Sequence, residues 1–210
     1  MADHYEEEAQ VEQLKRWWNE NWKSLATGLI LGFVVILGWE GYKQHTLEQA
    51  DQASQLYDDL KAAIDARKND ETVVLGEKLI KEYSSTPYAG NASLHLAQLA
   101  VQQNKLDDAV LRLRWVSDHS KDAGLRDLAK LRLARVLWQQ KKFDDALKLT
   151  DGDHGGYTSL FVELRGDIKL SQGDRSAART AYEQAKQTSE GQNRQALQQK
   201  LDDLADAVHS

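Results

Sequence analysis

One short segment of the chain carries residue types that could do metal chemistry. Asp151, Asp153 and His154 lie within four positions of one another, interspersed with glycines. Carboxylate oxygens and imidazole nitrogens are common ligands of divalent metal ions. A metal site needs three or four convergent ligands, however, and a glycine-rich segment between helices is typical of a turn. The pattern therefore favours a turn, and a metal-dependent enzyme built around Asp153 and His154 is the weakest functional hypothesis.

No other pattern in the sequence predicts catalysis. His95, His119 and His209 have no companions at the spacing of metal ligands, and there is no glycine-rich phosphate loop or serine nucleophile motif. The acidic pairs Asp107-Asp108 and Asp144-Asp145 recur at equivalent places, where negative charge stabilises a helix N-terminus. The chain has no cysteine, which excludes disulfides and a thiolate nucleophile. We expect a protein that is not an enzyme and needs no cofactor.

The composition indicates an all-α protein that does not bind nucleic acid. The 210 residues include a single proline, and long stretches without helix breakers are rich in Ala, Leu, Gln, Lys, Asp and Glu. The formal net charge is −6, and no basic cluster is present to neutralise phosphates.

An apolar segment near the N-terminus predicts a transmembrane helix. Residues 24–39 carry no charge, and the span with its flanks covers residues 22–42, about 31 Å of helix. Aromatic residues bracket it like an interfacial belt: Trp17, Trp18, Trp22, Trp39 and Tyr42. The alternatives are a buried helix of a soluble core and a cleaved signal peptide, but no small-residue cleavage site follows the apolar run. We therefore expect an uncleaved signal anchor.

Basic residues around this span predict its orientation. Lys15, Arg16 and Lys23 precede it, whereas only Lys43 follows closely. The positive-inside rule then places residues 1–21 in the cytoplasm and residues 43–210 on the opposite side of the membrane. The N-terminal segment also predicts a helix that lies along the cytoplasmic interface, because four apolar side chains share one side: Val11, Leu14, Trp18 and Trp22.

Three small residues, Ser24, Gly28 and Gly32, recur every four positions within the span. This spacing puts them on one face of the helix, where they would let another membrane helix approach closely. Glycine is also common in membrane helices that have no such contact. Both interpretations stay open.

Internal similarity in the rest of the chain predicts tetratricopeptide (TPR) repeats. Equivalent alanines follow three similar turns 37 and 32 residues apart, close to the 34-residue TPR period: Ala109, Ala146 and Ala178. Twelve residues before each of them is another small residue: Ala97, Ala134 and Gly166. TPR units need small residues at both positions because their two helices touch there, and Tyr182 closes the third unit as the pattern requires.

The repeats extend in both directions from these three units. Gly76, 33 residues before Ala109, predicts a degenerate earlier repeat over about residues 50–86. Apolar residues on one face of the C-terminal segment predict a capping helix: Leu197, Leu201, Leu204 and Val208. Arg165 and Lys169 occupy usually apolar positions, so we expect an irregular last repeat. The predicted fold is all-α: one N-terminal transmembrane helix, then a TPR-like α-solenoid of about four helical hairpins with a C-terminal capping helix.

A solenoid of this kind leaves a concave surface that can hold another protein. The repeat register predicts its contact residues: Gln98, Val101, Gln102, Arg135, Trp138, Gln139, Glu163, Asp167 and Leu170. Trp138 is either an aromatic anchor for a partner or part of the core between repeats. Leu94 and Leu131 stand where carboxylate-clamp TPRs carry Lys or Arg, which disfavours recognition of a chaperone's C-terminal carboxylate.

Four segments together resemble the YfgM family of bacteria. They are residues 11–21, the glycine-containing span that ends at Gly38-Trp39, residues 131–137 and residues 164–167. The resemblance implies an ancillary subunit of the Sec translocon, anchored in the inner membrane with its TPR domain in the periplasm. It also implies a membrane-anchored periplasmic chaperone of prolyl-isomerase type as a partner in assisting newly translocated proteins. A cytoplasmic role in restraining an envelope-stress regulator is a further implication, and the family offers no catalytic residues.

Two non-enzymatic functions therefore compete. The first is a translocon-associated adaptor or chaperone with partners in the lipid and in the periplasm. The second is a structural scaffold of another cell-envelope complex, such as cell-wall or division machinery. They differ in the proteins that would co-purify with the chain.

Overall fold

The computed structural model describes residues 2–206, with side chains from Val11 to Ala205 except Gln13. Val208 and His209, which figure in the sequence predictions, lie outside the described residues. All regular structure in the described part is helical: α1 Ala2–Asp65, α2 Asn69–Glu82, α3 Pro87–Gln102, α4 Leu106–His119, α5 Ala123–Gln139, α6 Phe143–Lys148, α7 Thr158–Ser171, α8 Arg175–Thr188 and α9 Gly191–Asp206, with one 3-10 turn at Gly155–Tyr157. The predicted all-α fold is confirmed.

Helix α1 contains the predicted membrane anchor. Among the described helices, one is long and apolar enough to cross a membrane, and it is this one. Its large apolar side chains between Leu29 and Leu37 are each at least 59 % exposed, a surface that suits hydrocarbon rather than water. The chain divides into two compact units, Met1–Asp51 and Gln52–Ser210, and α1 continues from the first into the second. The interfacial segment 1–21 and the limits 22–42 stay predictions.

Four helical hairpins, followed by α9, make up the described part of the second unit. They pair the end of α1 with α2, α3 with α4, α5 with α6, and α7 with α8. Each connection contains one residue in the left-handed region, and these residues are 37, 37 and 32 positions apart: Arg67, Asn104, Lys141 and Gly173. The following N–H closes every turn on a carbonyl five residues earlier, at 2.8–3.0 Å. This bond satisfies a helix C-terminus and offsets the strain of a non-glycine left-handed residue.

The small residues of the repeat lie at the helix–helix contacts. The five alanines are each at most 2 % exposed, and Gly166 is buried as well: Ala97, Ala109, Ala134, Ala146 and Ala178. A Cβ added to Gly166 would lie 2.4 Å from Cε1 of Tyr182, so α7 and α8 can approach this closely only over a glycine.

The first repeat exists, but Gly76 does not hold the position that the sequence assigned to it. Five residues after the turn residue, where the later units have Ala109, Ala146 and Ala178, this unit has the buried Thr72. Gly76 instead makes room for α3, because a Cβ there would lie 2.8 Å from Cδ1 of Leu96. The glycine thus serves the contact between repeats.

Helix α9 caps the solenoid. Leu197 and Leu204 are 1 % and 7 % exposed and pack with Ala181, Tyr182 and Ala185 of α8. The contacts bury the apolar face that the last hairpin would otherwise expose to water.

The close contact at Gly166 predicts a large effect of one methyl group. We expect Gly166→Ala to lower the free energy of unfolding by about 1–3 kcal/mol, because overpacking against Tyr182 outweighs the gain in helix propensity. Gly156→Ala is the matched control, since a Cβ at Gly156 meets no atom within 4 Å. Urea unfolding of both variants measures the difference, and equal midpoints would contradict the packing role of Gly166.

Candidate functional site

The first helices of the hairpins line a continuous groove, which we call the A-helix groove. It consists of three clefts: one of about 490 Å³ among the end of α1, α2 and α3, one of about 320 Å³ among α3, α4 and α5, and one of about 550 Å³ between α5 and the end of α7. Gln98 lines the first and second clefts, and Arg135 and Gln139 line the second and third. The shared residues make the three clefts one surface.

All six predicted contact residues of α3 and α5 line this groove. The side chains of Gln98, Gln102, Arg135 and Gln139 are exposed, and Val101 is half-buried. The sequence analysis missed Arg132, which is half-buried in the second cleft. It lies three positions before Arg135 on the same helix, so helical periodicity alone would have placed it on the groove side. Partner contact by these residues stays a prediction.

Trp138 is both packed and accessible. Its indole Nε1–H donates to Ser171 Oγ at 2.9 Å, which joins α5 to α7, while the ring packs on the main apolar cluster and lines the third cleft. The indole is therefore held in one orientation before any partner arrives.

Glu163 and Asp167 have a different environment from the other predicted contacts. Lys200 of α9 places its Nζ 2.7 Å from Glu163 Oε1 and 2.6 Å from Asp167 Oδ1. Asp167 Oδ1 also accepts a 2.8 Å hydrogen bond from the Tyr182 hydroxyl. Both carboxylates are already paired within the chain, and neither lines the A-helix groove. The sequence analysis treated α9 only as an apolar cap and so missed Lys200.

This ionic cluster shifts two pKa values. Burial acts to lower the pKa of Lys200, but its hydrogen bonds to Asp167 and Glu163 outweigh burial, and the pKa is raised. Burial, followed by the hydrogen bond to Asp167, raises the pKa of Tyr182. The folded state therefore favours the protonated form of both groups.

The structure does not bring Asp151, Asp153 and His154 together. His154 is 6 % exposed and stacks on Phe161 with ring centroids 3.6 Å apart. Asp153 accepts from the Gly155 N–H and the Thr158 hydroxyl, as in a side-chain-stabilised turn. Within the described residues, no group of three or more His, Cys, Asp or Glu is arranged to hold a metal ion.

Arg165 explains the irregularity expected in the last repeat. Its guanidinium donates to the carbonyl and hydroxyl oxygens of Thr150 and lies 3.5 Å from Asp151. Helix α6 has only six residues, and Arg165 donates to the backbone carbonyl of Thr150 just beyond the end of this helix. The charged residue at this usually apolar position is structural.

Ser24, Gly28 and Gly32 lie exposed along α1. A Cβ added to Gly28 or Gly32 would meet no atom within 4 Å, so nothing in this chain requires a glycine at either position. Packing of this face on another membrane helix stays a prediction.

The described architecture defines a TPR protein with an apolar N-terminal helix, and comparison with known proteins agrees. Residues 15–206 match the model of the tetratricopeptide repeat-like domain family. The chain is 37 % identical over 184 residues to the ancillary SecYEG translocon subunit of Escherichia coli K12, covering 87 % of this chain and 88 % of that protein. Proteins of the same name from Haemophilus influenzae and Neisseria gonorrhoeae are 33 % and 32 % identical, each over 97 % of this chain and the full relative. The chain belongs to the YfgM family.

Solved structures show the same fold in unrelated sequence. A protein from Podospora anserina with nearly identical TPR-like repeats, titled a putative kinesin light chain, superposes with a TM-score of 0.56 at 14 % identity. The match covers 76 % of this chain and 88 % of that one. At this identity the likeness concerns the fold alone.

The Lys200 cluster predicts both a stability loss and an alkaline transition. Lys200→Gln leaves two partly buried carboxylates without their cation, and we expect unfolding to become easier by about 1–3 kcal/mol at pH 7. A raised pKa in the folded state means that the stabilisation is complete below about pH 10 and is lost as the pH rises further. Raising the pH from 8 to 11 should therefore lower the Tm of the wild type more than the Tm of Lys200→Gln, as measured by thermal unfolding.

Lys148→Gln is the matched control for this experiment. Lys148 forms an exposed pair with Asp145 on α6, and its side chain is 75 % exposed. Its removal should change stability by about 0.5 kcal/mol or less. Equal effects of the two substitutions would contradict the role assigned to Lys200.

Proposed function

We propose that this protein is a non-catalytic, membrane-anchored TPR adaptor of the Sec translocon. The observation that carries the proposal is that relatives matching along nearly the whole chain are named ancillary SecYEG translocon subunits. The A-helix groove supports it, because a contiguous cleft between repeats is a surface for holding another polypeptide.

The proposal includes a topology in the bacterial inner membrane. The apolar part of α1 spans the bilayer as a signal anchor, residues 1–21 lie in the cytoplasm and residues 43–210 in the periplasm. Support comes from the three basic residues before the span, Lys15, Arg16 and Lys23, against the single Lys43 after it.

The proposal also includes two kinds of partner. Within the membrane, the face of Ser24, Gly28 and Gly32 packs on a translocon helix, since exposed small residues allow close backbone approach. In the periplasm, the TPR domain cooperates with a membrane-anchored chaperone of prolyl-isomerase type and assists newly translocated proteins. A contribution of the cytoplasmic segment to the control of an envelope-stress response is part of the same proposal.

The membrane partners can be tested by native purification. The full-length protein, extracted in mild detergent from its own membranes, should recover translocon subunits and a periplasmic isomerase-like chaperone, identified by mass spectrometry. Gly28→Leu with Gly32→Leu should reduce translocon recovery about tenfold or more, because the added side chains prevent close helix approach.

The control enlarges the opposite side of the same helix. Ile30 and Val34 lie about 180° around the helix from Gly28 and Gly32, at 100° per residue. The double variant Ile30→Phe with Val34→Phe should therefore leave translocon recovery unchanged. Recovery of cell-wall or division machinery in place of the translocon would contradict the proposal and favour the structural scaffold. Equal losses for both double variants would contradict the assigned packing face.

The topology can be tested because the chain contains no cysteine. We expect Lys121→Cys to react with a membrane-impermeant maleimide in intact spheroplasts, whereas Glu12→Cys should react only after lysis. Both positions are exposed in the structure. The reverse pattern of labelling would place the TPR domain in the cytoplasm.

A further inference from the structure

The A-helix groove differs in charge from the rest of this acidic protein. Twenty residues line its three clefts, and among them is no Asp or Glu. The whole chain has 33 acidic and 27 basic residues. Four cations line the groove: Arg67, Arg132, Arg135 and Lys141. The groove is therefore a basic strip on a protein of net negative charge.

Two of these cations are available for a ligand. Neither Arg132 nor Arg135 forms an ion pair or a side-chain hydrogen bond with any described residue, and both line the second cleft. Five arginines elsewhere in the repeats are engaged: Arg112 with Glu77 and Asp108, Arg126 with Ser120 and Lys121, Arg165 with Thr150, Arg175 with Leu204, and Arg179 with Glu183. A guanidinium without a partner in a carboxylate-free cleft is suited to an anion.

The electrostatic effect of Arg132 extends to a neighbouring groove residue. Burial lowers the pKa of His95, and the positive charge of Arg132 lowers it further. His95 lines the first cleft and lies close to the Tyr57 hydroxyl, with 3.3 Å between its Nε2 and that oxygen. The field of Arg132 thus acts across the boundary between the first and second clefts.

The other groove residues have the chemistry of a polypeptide site. The second cleft has an apolar floor of Leu94, Ala97, Val101, Leu113 and Val136. Gln98 and Gln139 are exposed in this cleft and Gln102 is exposed in the first cleft, and each amide offers both a donor and an acceptor. A peptide backbone needs both, whereas a lipid phosphate or a free phosphate takes donors only. This favours polypeptide over other anionic ligands.

We propose that the A-helix groove binds an acidic segment of a partner polypeptide, with side-chain carboxylates on Arg132 and Arg135 and an apolar side chain in the cleft between α3 and α5. The inference rests on the proposed adaptor function and specifies the chemistry of its ligand. It differs from a carboxylate clamp, because the positions such a clamp would use are the buried Leu94 and Leu131.

The test uses the full-length protein in nanodiscs of a zwitterionic lipid. The probe is a fluorescent peptide of alternating acidic and apolar residues, and its control replaces every Glu and Asp by Lys. We expect the acidic peptide to bind at least about tenfold more tightly than the basic one. Its affinity should fall as salt is raised, because the interaction involves exposed charges.

Two matched double variants locate the binding. Arg132→Gln with Arg135→Gln should weaken binding of the acidic peptide about tenfold or more, the loss of two charge-assisted contacts. Arg114→Gln with Arg179→Gln removes the same charge from exposed positions outside the groove and should leave affinity unchanged. Circular dichroism melting verifies the fold of each, and Arg135→Gln alone, at an exposed position, provides a second variant that preserves packing.

Three outcomes would overturn the inference. They are equal binding of the acidic and basic peptides, equal effects of the two double variants, and an acidic peptide that fails to bind while phosphatidylglycerol vesicles bind through Arg132 and Arg135. Translocon recovery is measured on the same variants. If translocon subunits are still recovered while peptide selectivity fails, only the inference is overturned. If the wild-type protein itself recovers no translocon subunits, the proposed function is overturned.

Discussion

The close approach of paired helices is the constraint on which the rest of the domain depends. In the later units, small residues at two positions let the helices of a hairpin touch, with Gly166 under the ring of Tyr182 as the tightest example. A left-handed residue in each connection reverses the chain, and the hydrogen bond across the turn stabilises it. Because every hairpin repeats this geometry, the first helices all fall on one side of the solenoid. The A-helix groove is a consequence of that arrangement.

The sequence predicted those parts of the fold that depend on period and residue size. Ala109, Ala146 and Ala178 gave the repeat length, and the uncharged run of residues 24–39 gave the candidate anchor. The first repeat was expected for the wrong reason, because Gly76 serves the contact between repeats while Thr72 takes the alanine position. A single sequence cannot separate these two uses of a small residue, since both have the same helical spacing.

The site was predictable only where it follows the register of one helix. Gln98, Arg135 and Gln139 line the groove because they lie on the open side of α3 and α5. The pairing of Glu163 and Asp167 with Lys200 was not predictable, because these residues are 37 and 33 positions from their partner in the chain. Such a contact depends on how α9 docks on the last hairpin, which apolar spacing alone does not determine. The role of Arg165 depends likewise on the short α6.

Acidic residues at helix ends are distributed unevenly between the first and second helices of the hairpins. Acidic pairs begin the second helix of the first three hairpins, at Asp70-Glu71, Asp107-Asp108 and Asp144-Asp145, where they stabilise the N-terminal end of the helix dipole. The first turns of α3, α5 and α7 contain no acidic residue. These acidic pairs thus lie in the second helices, whereas none of the residues that line the groove is acidic. The carboxylates of α5 and α7 are paired within the chain: Asp127 with Lys130, and Glu163 and Asp167 with Lys200. Arg132 and Arg135 therefore have no competing carboxylate among the residues that line their cleft, which is the condition that an anionic ligand of the groove requires.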